Sequence, residues 1–281
     1  MARPVPLSAF ARLAAPHRLV GALVTGGALA LVHGGPLPGG AGAFAAVVVL
    51  TTVALSALRA WFLLRGVASA SHQSLVMGLA GGAATGALVV LIMTANWPSV
   101  AVLVILLVIE WLLFLPPVSL ARRVPVEVGL TVSEGGVLPA FGYAAALGRW
   151  AAPWPLLAAT LCVSLAASSA AFVGESGVDS LAPRPTLRRF APPTAVALLS
   201  LSALTAAIAL VLGGAGPGLD PELALLATPM AVMSAFFGWL SLFDPRPEWC
   251  LRRIEGLVTA SVLSWYAGLL LVLLVAARPP G

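Results

Sequence analysis

The chain has 281 residues, of which 60% are hydrophobic and 9% charged, with a net charge of +5 and a mean hydropathy of +1.04. An average soluble domain is about 45–50% apolar and about 25% charged, so this composition excludes an ordinary soluble protein. The few basic residues are scattered between apolar segments, which argues against a nucleic-acid-binding surface. The sequence therefore predicts an all-α, polytopic membrane protein built as one integral membrane domain, residues 1–281.

Nine apolar segments are long enough to form transmembrane helices, since crossing about 30 Å of hydrocarbon takes about 20 apolar residues. Clusters of glycine, proline and polar residues separate them, such as GGPLPGG at 34–40. The predicted helices are 16–34, 41–64, 75–94, 98–120, 127–147, 153–173, 193–213, 223–243 and 256–276. Two runs of small residues, 78–87 and 166–171, are expected to let helices pack closely.

Arginine is distributed unequally between the two sides of this predicted bundle. The side of the C-terminus carries only Arg149 and Arg278. The opposite side, with the N-terminus and the even-numbered connections, carries Arg3, Arg12, Arg18, Arg59, Arg65, Arg122, Arg123, Arg184, Arg188, Arg189, Arg246, Arg252 and Arg253. Because cytoplasmic connections carry the excess of basic residues, the N-terminus is predicted inside and the C-terminus outside. We expect a prokaryotic plasma-membrane protein whose polar site faces the cytoplasm, with Arg59 snorkelling to that surface.

Two glutamates lie within predicted membrane helices, where a charged carboxylate costs at least about 2.5–3.5 kcal/mol. Each should therefore face the interior of the bundle and have a partner. Trp111 and the aliphatic residues around Glu110 favour a protonated glutamate bonded to a neighbouring helix. Glu134 is either such a structural residue or a proton acceptor or ion ligand lining a cavity. Gly135 and Gly136 beside it permit close approach of a helix or a substrate.

The segment 174–190, GESGVDSLAPRPTLRRF, concentrates charge in a chain that has little. Glu175 and Asp179 are four residues apart and would leave one face of a helix. Two adjacent carboxylates suit a divalent cation shared with phosphate oxygens, and the nearby arginines Arg184, Arg188 and Arg189 suit the phosphates themselves. The alternative is a solvated loop whose charges only mark the membrane surface.

The nine-helix layout and this segment together resemble the UbiA family of membrane prenyltransferases. That family carries a DxxxD motif after its sixth helix, followed by Gly-x-x-Thr-Leu. Here Glu175-Ser-Gly-Val-Asp179 is followed by Arg184-Pro185-Thr186-Leu187, with Pro183 where glycine is usual. The family's aromatic-Pro-x-x-x-Lys-Arg segment is similar to Leu115-Pro116-Pro117 through Arg122-Arg123, and the resemblance extends over about residues 98–276.

The resemblance implies transfer of an isoprenyl group from an isoprenyl diphosphate to a lipophilic or aromatic acceptor. It implies that Glu175 and Asp179 bind Mg²⁺, with Arg122, Arg123, Arg184 and Arg188 as diphosphate contacts. Glu134 is the candidate within the cavity. All of these residues except Glu134 lie on the predicted cytoplasmic side.

The chain departs from the family in the stretch after the second predicted helix. The family has its first acidic motif there, NDxxD or NxxxDxxxD, which holds magnesium and the diphosphate jointly with the second motif. Leu58 to Ser74 of this chain contains no Asp, Glu or Asn. Arg59 and Arg65 are therefore candidates to replace one metal site as direct diphosphate ligands.

Three functions remain open on the sequence. The first is a divergent prenyltransferase with an isoprenyl diphosphate, a lipophilic acceptor and the lipid bilayer as its partners. The second is a non-catalytic relative that binds a prenylated lipid or presents it to a partner enzyme. The third is a small proton-coupled transporter that uses Glu110 and Glu134, against which we find no internal repeat between the two halves.

Overall fold

A computed structural model describes residues 16–32, 37–65, 69–115, 126–149 and 158–166, together with positions 195, 199, 202–203 and 205–207. The elements in these ranges are helices, and the ranges contain no β-strand. In chain order they are α1 Pro16–Val32, α2 Gly40–Leu64, α3 Ala70–Met93, α4 Trp97–Phe114, α5 Val126–Leu130, the π-helix π1 Thr131–Val137, and α6 Leu138–Leu147. A further helical stretch, α7, covers 158–166.

The first five predicted transmembrane helices coincide with described helices. Three of the latter, Gly40–Phe62, Ala70–Met93 and Trp97–Phe114, are long and apolar enough to cross a membrane. α4 ends six residues before the predicted limit at 120, because Leu115 is extended (φ −96°, ψ 148°). The α region is disfavoured before a proline, and Pro116 follows. The predicted helices at 223–243 and 256–276 lie outside the described residues.

The described residues belong to two compact units. One contains 16–115 and 137–149 within the described ranges, and the other contains 126–136, 158–166 and the positions between 195 and 207. The first unit has a continuous apolar core to which each of its five helices contributes two or more side chains. Its members include Leu19, Leu23, Val47, Leu55, Ala87, Leu91, Leu103, Leu106, Leu138 and Phe141.

In the first unit, α1 and α6 pack closely against each other. A Cβ added at Gly26 would lie 2.0 Å from the carbonyl oxygen of Pro139, and one at Gly142 would lie 2.2 Å from that of Leu23. Neither position accepts a larger residue unless the helices separate. Close backbone contact of this kind helps helices associate inside a bilayer, because the hydrophobic effect does not drive one apolar helix onto another in lipid.

Asn96 joins the start of α4 to the end of α6. Its Oδ1 accepts from the Ser99 backbone N–H (3.3 Å) and hydroxyl (2.7 Å), so it caps the N-terminus of α4. Its Nδ2 donates to the carbonyls of Ala144 (3.4 Å) and Ala145 (3.0 Å). These carbonyls are in the last turn of α6, where the Gly148 N–H also donates to the Ala144 carbonyl (2.8 Å). One buried amide thus satisfies polar groups at two helix ends.

The expectation of close packing through the small-residue run at 78–87 is confirmed for Gly86, where an added Cβ would lie 3.3 Å from Cδ1 of Leu50 on α2, and is wrong for the other three glycines. A Cβ at Gly78, Gly81 or Gly82 would have nothing within 4 Å, and all three are exposed. The alanines of this run do face the core: Ala80, Ala83 and Ala87 are buried. The run therefore gives α3 one packed alanine face and one open glycine face. The second run, 166–171, lies outside the described residues except for Ala166.

Candidate functional site

Two charged residues of the first unit form a buried ion pair. The Nε of Arg59 on α2 donates to Oε2 of Glu110 on α4 (3.1 Å), and its Nη2 donates to Oε1 (2.5 Å). Both side chains have no exposed surface. Arg59 lies five residues before the end of α2 and Glu110 four before the end of α4. α2 and α4 run in the same direction because α3 returns between them, so both residues lie near the same end.

Aromatic rings enclose this pair. The guanidinium carbon of Arg59 lies 5.8 Å from the centroid of the Phe114 ring, which meets Phe62 edge-to-face at 5.3 Å. Phe62 is one turn from Arg59 on α2, and Phe114 is one turn from Glu110 on α4, so helical spacing sets the cluster. The desolvation cost of burying two charges is offset only where the two groups bond to each other, and the two-point contact of arginine with a carboxylate does this.

The expected snorkelling of Arg59 is wrong, since its side chain is fully buried. The expectation that Glu110 bonds to a neighbouring helix is confirmed, and its partner there is Arg59 of α2. The predicted role of Arg59 as a diphosphate ligand stays a prediction. In this structure Glu110 engages its guanidinium at two points.

Arg65, the other arginine of the stretch without acids, lies in a different environment. It is exposed, follows the last residue of α2, and its guanidinium carbon lies 5.6 Å from the centroid of the Trp61 ring. Successive residues of an α-helix are about 100° apart, so positions 59 and 65 differ by about 120° around the axis. The two arginines therefore leave α2 on different faces. His72 at the start of α3 is also exposed and lies 2.6 Å from the Ser69 hydroxyl.

Glu134 lies in the π-helix of the second unit and is 5% exposed. The carbonyl of its neighbour Gly135 accepts a hydrogen bond from the Thr160 hydroxyl of α7 (2.9 Å). A Cβ at Gly135 would lie 2.8 Å from the Cα of Leu161, so the glycine permits α7 to approach. π-helical turns inside longer helices are often found at functional sites. The close approach expected at this glycine is thus made by a helix, and the role of Glu134 in a cavity stays a prediction.

The remaining predicted site residues lie outside the described residues: Glu175, Asp179, Arg122, Arg123, Arg184 and Arg188. Within the described ranges, no group of three or more His, Cys, Asp or Glu side chains is arranged to hold a metal ion. The predicted magnesium site therefore depends on residues beyond those ranges.

Sequence reasoning missed that Arg59 and Glu110 are partners, and it missed Asn96. A signal was present for the pair. Each is a charged residue inside an apolar run, and the Pro116-Pro117 pair, which ends α4 early, puts both a similar distance before the end of their helices. In two helices of the same direction, such residues are at similar depth, and a buried charge needs an opposite one. What the spacing does not give is the rotation of the two helices that turns the side chains toward each other.

Solved structures share the fold of this chain over most of its length. A UbiA homolog from Aeropyrum pernix K1, in its apo form, aligns with a TM-score of 0.65 at 16% identity, covering 91% of this chain and 98% of that one. A UbiA homolog from Archaeoglobus fulgidus bound to DMAPP and Mg²⁺ gives 0.59 at 12% identity, covering 92% and 98%. The A. fulgidus homolog bound to GPP and Mg²⁺ gives 0.54 at 13%, covering 92% and 99%. This chain has the UbiA-like fold.

The UbiA-like fold confirms the resemblance stated from the sequence. The agreement is in the path of the backbone. At identities of 12–16%, a shared fold does not imply that the side chains of a site are shared. No model of a protein family matches the sequence, and no curated protein sequence matches it. The composition, the three long apolar helices and the fold together describe an integral membrane protein.

Proposed function

We propose that this UbiA-like chain is a divergent membrane prenyltransferase. It would transfer an isoprenyl group from an isoprenyl diphosphate to a lipophilic or aromatic acceptor. The observation that supports this best is the likeness, over 92% of the chain, to homologs bound to DMAPP or GPP together with Mg²⁺. The ExxxD segment at Glu175 and Asp179, with Thr186-Leu187 at the family interval, agrees with it.

The proposal includes the predicted architecture. One membrane domain with nine transmembrane helices would place the N-terminus in the cytoplasm and the C-terminus outside, in a prokaryotic plasma membrane. The thirteen arginines on one predicted side support the orientation. The polar site then opens to the cytoplasm, where soluble diphosphates are delivered.

The proposed diphosphate site combines two carboxylates with several arginines. Glu175 and Asp179 would hold Mg²⁺, because carboxylate oxygens are its preferred protein ligands. When bound, the metal would neutralise charge on the departing diphosphate. Arg122, Arg123, Arg184 and Arg188 would hold the diphosphate oxygens, where guanidinium groups donate in pairs and stay charged.

The chemistry asked of these residues is electrostatic. The bond between the allylic carbon and the diphosphate oxygen breaks, diphosphate departs with the electron pair, and the acceptor forms a new bond to that carbon and loses a proton. Arginines that contact the leaving oxygens favour this step because negative charge grows there. The apolar interior of the bundle would exclude water, which would otherwise capture the allylic cation.

A second candidate function is a non-catalytic protein that binds or presents a prenylated lipid. Two observations favour it. The stretch Leu58–Ser74 has none of the acidic residues of the family's first motif. Arg59, one of the two candidate replacements, is held by Glu110 in the described structure. A protein of this kind would keep the isoprenoid cavity and lack turnover.

Turnover by the purified chain separates the two functions. The protein in lipid nanodiscs is incubated with labelled DMAPP or GPP, a panel of aromatic and lipophilic acceptors, and Mg²⁺, and prenylated products are identified by mass. We expect product, and a loss of about 100-fold in rate for Asp179→Asn, as is typical when one electrostatic group is removed. Asp220→Asn, on the predicted outer side, is the matched control. Activity that is independent of Mg²⁺ and unchanged in Asp179→Ala would sink the proposed mechanism.

A further inference from the structure

An apolar groove lies between α2, α3 and α4 in the first unit, with a volume of about 410 Å³. This is within the range of about 300–1,000 Å³ that small-molecule sites occupy. Its walls include Leu58 on α2, the small residues Ala80, Gly81 and Ala84 on α3, and Val108 and Trp111 on α4. The α3 wall of the groove thus consists mainly of small side chains, and Gly81 leaves space beside it.

The groove is open to the surroundings of the helices. Only 22% of the apolar span of α3 is buried, against 39% for α2 and for α4. Trp111 in the groove is 45% exposed, and Leu75 and Leu79 on α3 are 71% and 53% exposed. In a bilayer, such surface is covered by hydrocarbon. A groove with small residues on one wall and a tryptophan on another can hold a chain more specifically than a flat helix face can.

A cation lies at one end of this groove. Residues 54, 58, 61 and 65 follow the spacing i, i+4, i+7, i+11, so they form one stripe along α2. Ala54 and Leu58 of the stripe line the groove, and Trp61 and Arg65 continue it to the end of the helix. The guanidinium carbon of Arg65 lies 5.6 Å from the centroid of the Trp61 ring, so the charge stays beside this stripe. Leu115, just after α4, lines the groove at the same end.

We propose that this groove binds an anionic phospholipid of the membrane. One acyl chain lies along Leu58, Gly81 and Trp111, and the headgroup phosphate contacts Arg65. The apolar walls and the single terminal cation match the two parts of such a lipid. The charge favours anionic over zwitterionic headgroups, since an arginine near the membrane surface attracts an anionic lipid and gains little from a neutral one.

Lipid retention tests the proposal with two variants that alter different parts of the groove. The full chain is purified from mixed phosphatidylglycerol and phosphatidylcholine vesicles, and the bound lipids are counted by native mass spectrometry. Gly81→Leu fills the groove, and we expect retained lipid to fall at least about tenfold. Arg65→Gln leaves the groove open, and we expect the preference for phosphatidylglycerol to fall about fivefold.

Two matched controls separate these effects from general ones. Gly82→Leu adds the same side chain on the same helix, where a Cβ also meets nothing within 4 Å, but outside the groove. Arg149→Gln removes an exposed arginine elsewhere in the unit. Both should retain lipid as the native chain does. Full retention by Gly81→Leu, or an unchanged headgroup preference in Arg65→Gln, would overturn the proposal.

A measurement on the native chain keeps the test independent of how Gly81→Leu folds. Fluorescence of Trp111, taken as the difference between the native chain and Trp111→Phe, should be quenched more by brominated phosphatidylglycerol than by brominated phosphatidylcholine. Equal quenching by the two lipids contradicts the proposal.

Discussion

Arg59 and Glu110 show how two charges are accommodated in apolar helices. Each would be costly alone, and together they form a two-point contact with no exposed surface. The pair cross-links α2 and α4 near one end, with Phe62 and Phe114 around it. The pair need not stabilise the fold more than an apolar contact would. Removing only one partner, however, leaves a buried charge without a counterion.

Replacing only Arg59 should therefore destabilise the protein strongly. We expect Arg59→Gln to lower the free energy of unfolding by about 3–5 kcal/mol. The double variant Arg59→Met/Glu110→Leu should recover most of this loss, because it removes both charges. Unfolding in mixed micelles by stepwise addition of sodium dodecyl sulfate measures these differences. Arg149→Gln, which is exposed, should change the value by less than about 0.5 kcal/mol.

Asn96 has a double role that substitution can divide. Asn96→Ala removes the cap of α4 and the donors to the Ala144 and Ala145 carbonyls, so we expect a loss of about 2 kcal/mol. Asn96→Asp keeps the acceptor for Ser99 but places a carboxylate against those carbonyls, and it should not restore stability. Ser74→Ala, at an exposed hydroxyl, is the control. If Asn96→Asp were as stable as the native chain in the same unfolding assay, the bonds to α6 would contribute nothing.

At the scale of the helices, glycine has opposite meanings at two places. Gly26 and Gly142 allow the backbones of α1 and α6 to touch, whereas a Cβ at Gly78, Gly81 or Gly82 would meet nothing within 4 Å. From the sequence alone, close helix packing would be expected at Gly78, Gly81 and Gly82, because these glycines are clustered. Their exposure follows from the rotation of α3, whose alanines at 80, 83 and 87 take the packed side.

Replacing a glycine of each group with a larger residue should affect stability differently in the two groups. Gly142→Val directs its side chain at the Leu23 carbonyl, and we expect a loss of at least about 3 kcal/mol in the free energy of unfolding, or no folded protein at all. Gly78→Val meets nothing within 4 Å and should remain folded. Thermal unfolding in detergent compares the two variants. Equal melting temperatures would show that α1 and α6 do not cross as described.

At the scale of the whole molecule, the long apolar runs made the first helices predictable. Their limits follow from local chemistry, such as the Pro116-Pro117 pair that ends α4 early and the cap at Asn96 that begins it. The site was less predictable. The partner of Glu110 depends on which helices are neighbours and how each is rotated about its axis. The apolar pattern of the sequence also does not indicate the π-helix π1. All the proposed diphosphate ligands stay predictions, and those other than Arg59 and Arg65 lie outside the described residues.

The orientation of the molecule has its own test. Fusions of alkaline phosphatase or green fluorescent protein after Arg123, Arg149 and Gly281 are expressed in a bacterial inner membrane. The phosphatase should be active after Arg149 and Gly281, and fluorescence should appear only after Arg123, because arginine-rich connections remain in the cytoplasm. An active phosphatase after Arg123 would reverse the proposed orientation and the side on which the polar site opens.

The central claim is that a UbiA-like bundle without the first acidic motif still performs diphosphate chemistry. Release of inorganic diphosphate from GPP by the purified native chain, titrated with Mg²⁺ in the presence of acceptors, tests it most directly. We expect release that rises with Mg²⁺, stops on chelation, and falls by about 100-fold in the Glu175→Gln/Asp179→Asn double variant. Binding of GPP with no release at any Mg²⁺ concentration would contradict the claim and identify the chain as a lipid-binding relative.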